Sequence, residues 1–179
     1  LHADALVSAP EIRPAKVLPM HEMLGIPEAF VDPAAPVLYV ATTTEQVKGA
    51  GVIAYPGLME ETAEKLGGDF FILPSSVHEV LFLPQKGNEN YRDLQAMVRE
   101  INETQVAPEE RLSDEVYHYD SRDKVFERAE NFEKRMKNRE AERSEGKTSM
   151  LEKLKEKKVE AAKQPRKAAA EKGREALAL

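Results

Sequence analysis

Cysteine and tryptophan are both absent from the 179-residue sequence, and aromatic side chains make up only 6% of it. Without cysteine the chain cannot form disulfide bonds, thiolate metal sites or a cysteine nucleophile, and this composition suits a cytoplasmic protein. No apolar run approaches the roughly 20 residues that a membrane-spanning helix needs, and no secretory signal pattern is present. We therefore expect a cytoplasmic protein without a membrane partner.

The common signatures of nucleotide-binding and catalytic sites are also missing. Gly49 and Gly51 do not belong to a phosphate-binding loop, because the spacings G-x-x-x-x-G-K-[ST] and G-x-G-x-x-G are both absent. His21 and Glu22 are not followed by the second histidine that a zinc-binding helix requires. We therefore predict no cofactor.

Charge is abundant, but the two ends of the chain carry opposite signs. Residues 1–127 hold 10 Lys and Arg against 22 Asp and Glu, a net charge of −12, whereas residues 128–179 hold 16 and 10, a net charge of +6. The basic tail could be solvated or could pack on the protein's own acidic body. It could also bind nucleic acid through Lys147–Arg174, or supply a helix to a protein partner through Ser149–Lys163.

The most apolar stretch runs from Gly67 to Pro84 and predicts a β-hairpin. Asp69–Leu73 and Val77–Leu83 are its two predicted strands, and Pro74 with the two following serines forms the turn. Apolar residues occupy successive positions of the first strand. We therefore expect that strand to be buried on both faces of a sheet.

Weaker patterns on both sides of this hairpin complete the fold. The other predicted elements are a helix ending before Pro10, a short helix Met20–Leu24, paired strands Val37–Thr42 and Ala50–Tyr55, a helix from Pro56 to Leu66, an amphipathic helix capped by Asn90, and a final hairpin of Glu115–Tyr119 and Lys124–Glu127. This ββα-ββα order with a terminal hairpin predicts an α+β fold. We expect a small antiparallel or mixed sheet with two helices on one face.

Composition divides the chain into four predicted regions. Residues 1–36 form a helical, proline-rich lead-in, residues 37–128 the α+β domain, residues 129–163 charged helices, and residues 164–179 a disordered basic tail. Pairs such as Glu130 with Lys134 support the charged helices at i, i+4 spacing. The segment Ser144–Thr148 is expected to interrupt them.

The polar residues Ser75, Ser76, His78 and Glu79 lie against the apolar core at the hairpin turn. A nucleophilic serine needs a base within hydrogen-bond reach and a third group that orients the base. On an extended chain Ser76 and His78 would share a face, whereas Glu79 would point away and could not orient His78. The sequence also lacks a G-x-S-x-G elbow, so we favour serines that cap backbone groups over a hydrolase-like site.

A second candidate site lies on the final hairpin. Asp114, His118 and Asp120 carry oxygen and nitrogen donors that could hold a metal ion. Val116, His118 and Asp120 share one face of a strand, but no fourth ligand accompanies them. We favour a hydrogen-bonded or solvated sheet edge over a metal site.

Two blocks of the sequence, LPSSVHEV and NETQVAPEERLSDEVYHYD, resemble a bacterial domain-of-unknown-function family that is common in anaerobic gut bacteria and often carried by mobile elements. The resemblance covers roughly residues 1 to 130. It implies that the chain is the carboxy-terminal part of a longer family member. It brings no established activity, cofactor or catalytic residue, and it implies a cytoplasmic accessory role.

These observations predict a non-enzymatic accessory or protein-interaction module of a bacterial mobile element, whose α+β body binds a protein partner. The alternatives are a hydrolase-like enzyme that uses Ser76 and His78, and a nucleic-acid binder that uses the basic tail. A buried His78 bonded to a carboxylate would favour the enzyme. A His78 lying flat on an exposed strand would count against it.

Overall fold

The structure is a computed structural model that describes residues 2–74, 76–87 and 89–163. Ser75 and the predicted disordered tail 164–179 lie outside these residues. The described helices are α1 (His2–Ile12), α2 (Met20–Met23), α3 (Leu58–Leu66), α4 (Tyr91–Thr104) and α5 (Ala129–Lys163), and the strands are β1 (Ala15–Pro19), β2 (Tyr39–Thr43), β3 (Phe70–Leu73), β4 (Val80–Pro84), β5 (Tyr117–Asp120) and β6 (Val125–Arg128). Two short 3-10 helices lie at Glu28–Phe30 and Gly49–Ala54. The predicted α+β class is confirmed.

The six strands form one antiparallel sheet in the order β1-β2-β4-β3-β5-β6. The hairpin of β3 and β4 lies at its centre, with Phe71 opposite Leu83, and the hairpin of β5 and β6 ends the sheet on one side. The predicted central hairpin and the predicted final hairpin are therefore confirmed. Every residue of β3 is buried, as expected for a strand covered on both faces.

The helices α3 and α4 pack on opposite faces of the sheet, so the prediction of two helices on one face is wrong. On one face Met59 of α3 packs in a cluster with Phe70 and Ile72 of β3. On the other face Val98 of α4 packs in a cluster with Phe71. Successive side chains of a strand point to opposite faces. A strand with apolar residues at every position therefore needs a covering layer on each side.

Residues 49–54 form a 3-10 helix, so the predicted strand Ala50–Tyr55 is wrong. The reason is that β2 already has a neighbour on each side. β1 pairs with one edge, from Ala15 opposite Thr43 to Pro19 opposite Tyr39, and β4 pairs with the other. No edge of β2 is left for a hairpin partner.

Because of its prolines, the sequence does not predict the first strand, and it predicts the end of the first helix too early. Pro14 and Pro19 read as turn signals, but an edge strand such as β1 tolerates a proline, because no partner needs the missing N–H. Pro10 lies inside α1, which continues to Ile12 and does not stop before the proline as predicted.

The three predicted helices that follow are confirmed. α2 starts at Met20, and α3 starts after Gly57 and ends at Leu66. The side chain of Asn90 caps α4 by accepting a hydrogen bond from the backbone N–H of Arg92 at 3.0 Å.

A single helix, α5, replaces the two predicted charged helices, so the predicted break at Ser144–Thr148 is wrong. The hydroxyl of Ser144 donates to the carbonyl of Ala141 at 2.7 Å, and that of Thr148 donates to the carbonyl of Ser144 at 2.9 Å. These polar residues therefore bond back to the preceding turn and remain helical.

The described residues form two compact units, one up to Lys134 and the other from Arg135. In the first turns of α5 the predicted pair of Glu130 and Lys134 is confirmed, with Oε1 and Nζ 2.5 Å apart. This hydrogen bond lowers the pKa of Glu130 and raises the pKa of Lys134. The region boundaries at residues 36, 128 and 163 remain predictions. In the described ranges, no helix is both long and apolar enough to cross a membrane.

Candidate functional site

The loop between β3 and β4 carries His78. This loop is longer than the predicted turn, so Ser76 and His78 precede β4 and do not lie on it. The segment before β5 holds the loop in place. The N–H of Val77 donates to the carbonyl of Glu110 at 2.8 Å, and Ser76 forms an isolated β-bridge with Arg111.

Both ring nitrogens of His78 have partners. Nε2 lies 3.3 Å from Oε1 of Glu110, and Nδ1 accepts a hydrogen bond from the backbone N–H of Lys48 at 3.1 Å. Because Nδ1 accepts, the neutral ring carries its proton on Nε2, which then donates to the carboxylate. The side chains of His78 and Glu110 are 32% and 46% exposed, so the pair lies at the surface.

The backbone of His78 packs against β2 and the neighbouring 3-10 helix. Its carbonyl accepts hydrogen bonds from Oγ1 of Thr42 at 2.8 Å and from the N–H of Gly49 at 2.9 Å. A Cβ at Gly49 would lie 2.1 Å from Oγ1 of Thr42, so only glycine fits. Lys48 has a φ of 51°, in the left-handed region that costs an L-residue roughly 1–2 kcal/mol. The surrounding hydrogen bonds hold this backbone in place.

Among the described residues, Ser76, His78 and Glu79 do not form a triad. Oγ of Ser76 accepts a hydrogen bond from the backbone N–H of His78 at 3.0 Å, as expected of a serine that caps a backbone group. Glu79 is exposed, and Ser75 lies outside the described residues. The N–H of Lys48 occupies the ring nitrogen that would accept a proton from a nucleophile. A catalytic role for these four residues, which the sequence analysis ranks below backbone capping, stays a hypothesis.

Glu110 is the site residue that the sequence patterns miss. It lies 32 residues after His78, within a stretch that reads as a turn after Pro108, and no motif links the two. Backbone pairing of the His78 loop with the segment around Glu110 brings the carboxylate to the ring. Pairing between distant segments leaves no local signal in the sequence.

An open groove of about 470 Å³ lies next to the His78–Glu110 pair. Its mainly apolar lining comes from the 3-10 helix, the His78 loop and the segment before β5: Lys48, Ala50, Gly51, Ile53, Ala54, Val77, Glu109 and Leu112. Of these lining residues only Lys48 and Glu109 are charged. Leu112 is 44% exposed. We call this surface the Leu112 groove.

The three candidate metal ligands each form a hydrogen bond with another residue. Oδ1 of Asp114 accepts a hydrogen bond from Nδ2 of Asn102 at 2.6 Å. Nε2 of His118 donates to Oε1 of Gln85 at 2.7 Å, and Oδ1 of Asp120 accepts from the backbone N–H of Arg122 at 3.0 Å. In the part of the chain that the structure describes, no group of three or more His, Asp or Glu side chains is placed to hold a metal ion. A metal role for this trio, which the sequence analysis ranks below a hydrogen-bonded sheet edge, stays a hypothesis.

Comparison with known proteins places the chain in a family. A family model described as a family of unknown function, DUF5688, matches residues 1–121. The chain belongs to DUF5688. The match confirms the predicted resemblance to a family of unknown function. The DUF5688 region contains His78, Glu110 and the Leu112 groove, whereas β6 and α5 lie beyond it. No curated protein and no solved structure matches the chain.

Proposed function

We propose that this DUF5688 chain is a protein-interaction module that binds a short segment of a partner protein in the Leu112 groove. The observation that carries the proposal is the groove itself, which is open, has a mainly apolar lining and has a volume of about 470 Å³. Contact with an apolar side chain would remove this surface from water, which is favourable. The neighbouring loop is held by Glu110 and Lys48, so little ordering would be required on binding.

The two charged lining residues define the chemistry of the partner. Lys48 would attract an acidic side chain and Glu109 a basic one. We therefore propose a segment with one large apolar side chain and with an acidic and a basic residue close to it. Each of the three features has a counterpart in the groove.

The test is selection of binders from a random peptide library against the whole chain, followed by fluorescence anisotropy with a selected peptide. We expect the selected peptides to share the apolar, acidic and basic features. Leu112→Asp places a charge in the groove and should weaken binding about tenfold or more.

Leu24→Asp is the matched control, because Leu24 is exposed and does not line the groove. It should leave the affinity unchanged. Full affinity in the Leu112→Asp chain, or a library without any binder, would overturn the proposal.

The contact between His78 and Glu110 favours one second candidate, a hydrolase-like enzyme in which Glu110 orients His78. Catalysis would require the N–H of Lys48 to leave Nδ1, so that this nitrogen could accept a proton from Ser76 or from water. A screen of activated esters tests this candidate. Hydrolysis that His78→Gln abolishes would support it, and equal rates for both chains would refute it.

Other proposals rest on the sequence alone. We infer nucleic-acid binding through Lys147–Arg174 from charge, and we rank it below protein binding because no aromatic residue that could stack on a base follows Phe132. Residues 164–174 of this segment lie outside the described ranges. The family resemblance supports a cytoplasmic accessory role in a bacterial mobile element.

A further inference from the structure

One side of α5 between residues 143 and 158 combines apolar with basic side chains. The residues on this side are Arg143, Lys147, Met150, Leu154 and Lys158, with Leu151 at the border. The acidic residues of the same stretch lie on the opposite side: Glu145, Glu152 and Glu156. At about 100° of rotation per residue, the first five residues span about 80° around the helix axis. The three acidic residues lie about 160–200° around the axis from Leu154. We call the first set, with Leu151, the Leu154 stripe.

The apolar residues of the stripe are in solvent. Met150, Leu151 and Leu154 are 70%, 58% and 55% exposed. A surface helix normally turns its apolar residues towards a core. Here they are exposed together, and basic side chains stand on the same side. This arrangement is typical of a surface that a partner covers.

We propose that the Leu154 stripe is a second binding surface, separate from the Leu112 groove, which inserts into an apolar groove with an acidic rim on a partner protein. The three apolar side chains would fill the groove, as in other complexes of a helix with a groove. Lys147 and Lys158 would meet the acidic rim. Glu152 and Glu156 would face away from the partner, which avoids repulsion.

The sidedness of the helix favours a protein over the other anionic partners. Nucleic acid presents phosphates to basic residues, and it would leave Met150 and Leu154 against polar groups in the middle of the contact. A helix that lies in a membrane interface has a large apolar face formed by residues such as Trp, Phe and Leu. The stretch 143–158 has three large apolar residues and no aromatic one.

The test uses the whole chain and a surrogate of the proposed partner. Calcium-loaded calmodulin is acidic and opens apolar, methionine-rich grooves that bind basic amphipathic helices. Anisotropy of labelled calmodulin should show binding in calcium and a loss of about tenfold or more in EDTA, because the grooves close without calcium.

Two double variants separate the apolar contribution from charge. Met150→Gln with Leu154→Gln keeps both the net charge and the helix propensity, and it should weaken binding about tenfold or more. Glu152→Gln with Glu156→Gln, on the opposite side, is the matched control and should not weaken binding. Circular dichroism checks that each variant keeps its helix content.

Parallel titrations with a DNA duplex and with phosphatidylcholine–phosphatidylserine vesicles identify the class of partner. Calcium-dependent calmodulin binding that Met150→Gln with Leu154→Gln weakens would support the proposal. The proposal is overturned if calcium-loaded calmodulin does not bind. It is also overturned if DNA or vesicles bind more tightly than calmodulin and the apolar double variant changes nothing.

Discussion

Gly49→Ala tests whether Gly49 packs as closely against β2 and the backbone of His78 as the structure shows. A Cβ at this position would lie 2.1 Å from Oγ1 of Thr42, 2.6 Å from the backbone nitrogen of Thr43 and 2.7 Å from the carbonyl oxygen of His78. Favourable contacts of a carbon atom begin at about 3.5 Å. Two of the three atoms belong to the main chain, so a side-chain rotation cannot relieve the overlap.

The expected loss of stability follows from two effects. Forcing an additional methyl group into a packed site costs about 1–3 kcal/mol. A shift that relieves the overlap would also strain the two hydrogen bonds at the His78 carbonyl, each worth about 0.5–1.5 kcal/mol. We therefore expect Gly49→Ala to lower the free energy of unfolding by about 3 kcal/mol. This is a large part of the roughly 5–15 kcal/mol of a typical domain.

Urea unfolding followed by tyrosine fluorescence measures this loss. All five tyrosines lie between residues 39 and 119, so the signal reports on the unit that contains Gly49 and not on residues beyond Lys134. With a slope of about 2 kcal/mol per molar urea, a loss of about 3 kcal/mol lowers the midpoint by about 1.5 M.

Gly51→Ala is the matched control in the same 3-10 helix. Apart from its chain neighbours and the backbone of its own helix, no atom lies within 4 Å of a Cβ built at Gly51, so the alanine should leave the urea midpoint unchanged or raise it slightly. A Gly49→Ala chain that unfolds at the original midpoint would refute the close packing. Equal losses in both variants would refute the steric cause.

Two buried polar groups give further predictions. Burial, and then the nearby charge of Glu60, raise the pKa of Tyr119. An unfolded tyrosine ionises near about pH 10, so stability should fall as the pH rises from there through the higher folded pKa. Tyr119→Phe should lessen this fall in urea midpoints measured from about pH 9 to 11, and an unchanged fall would contradict the assignment. The buried Nδ2 of Asn102 donates to Asp114 at 2.6 Å. Asn102→Leu should cost about 1–3 kcal/mol in urea unfolding, whereas equal stability of Asn102→Leu and the exposed control Glu103→Leu would contradict this role.

The predictions that hold depend on signals within a few residues of one another. The hairpin of β3 and β4 shows continuous apolar strands around a proline turn, and α4 shows a cap at Asn90 followed by apolar residues at helical spacing. Helix α4 satisfies its backbone hydrogen bonds locally, and β3 and β4 pair with each other as successive segments of the chain. The sequences of these elements therefore predict their own secondary structure, and the α+β class follows from the presence of both types.

The predictions that fail depend on distant partners. β1 pairs with β2 from Ala15 opposite Thr43, and the prolines at its ends suggest turns. Val52 and Ile53 favour a strand by composition, yet both edges of β2 are occupied, so this segment becomes a 3-10 helix. The contact of Glu110 with His78 likewise depends on backbone pairing between two distant segments, which no local sequence pattern predicts.

One failed prediction conflicts with information that the sequence does contain. A strand with apolar residues at every position, as in Phe70–Leu73, implies a covering layer on both faces. Two helices on one face would have left Phe71 and Leu73 in solvent. The burial of both residues against α4 therefore follows from the strand itself.

The two proposed binding surfaces can be tested independently, because Leu112 and Leu154 belong to different compact units. Leu112→Asp should leave calmodulin binding unchanged, and Met150→Gln with Leu154→Gln should leave the affinity for a selected peptide unchanged. If either variant impaired both interactions, a property of the whole chain such as self-association would explain binding better than either surface. The family model covers the groove but not α5. Variants of the groove therefore test the part of the chain that the family model matches, and variants of α5 test a part that it does not match.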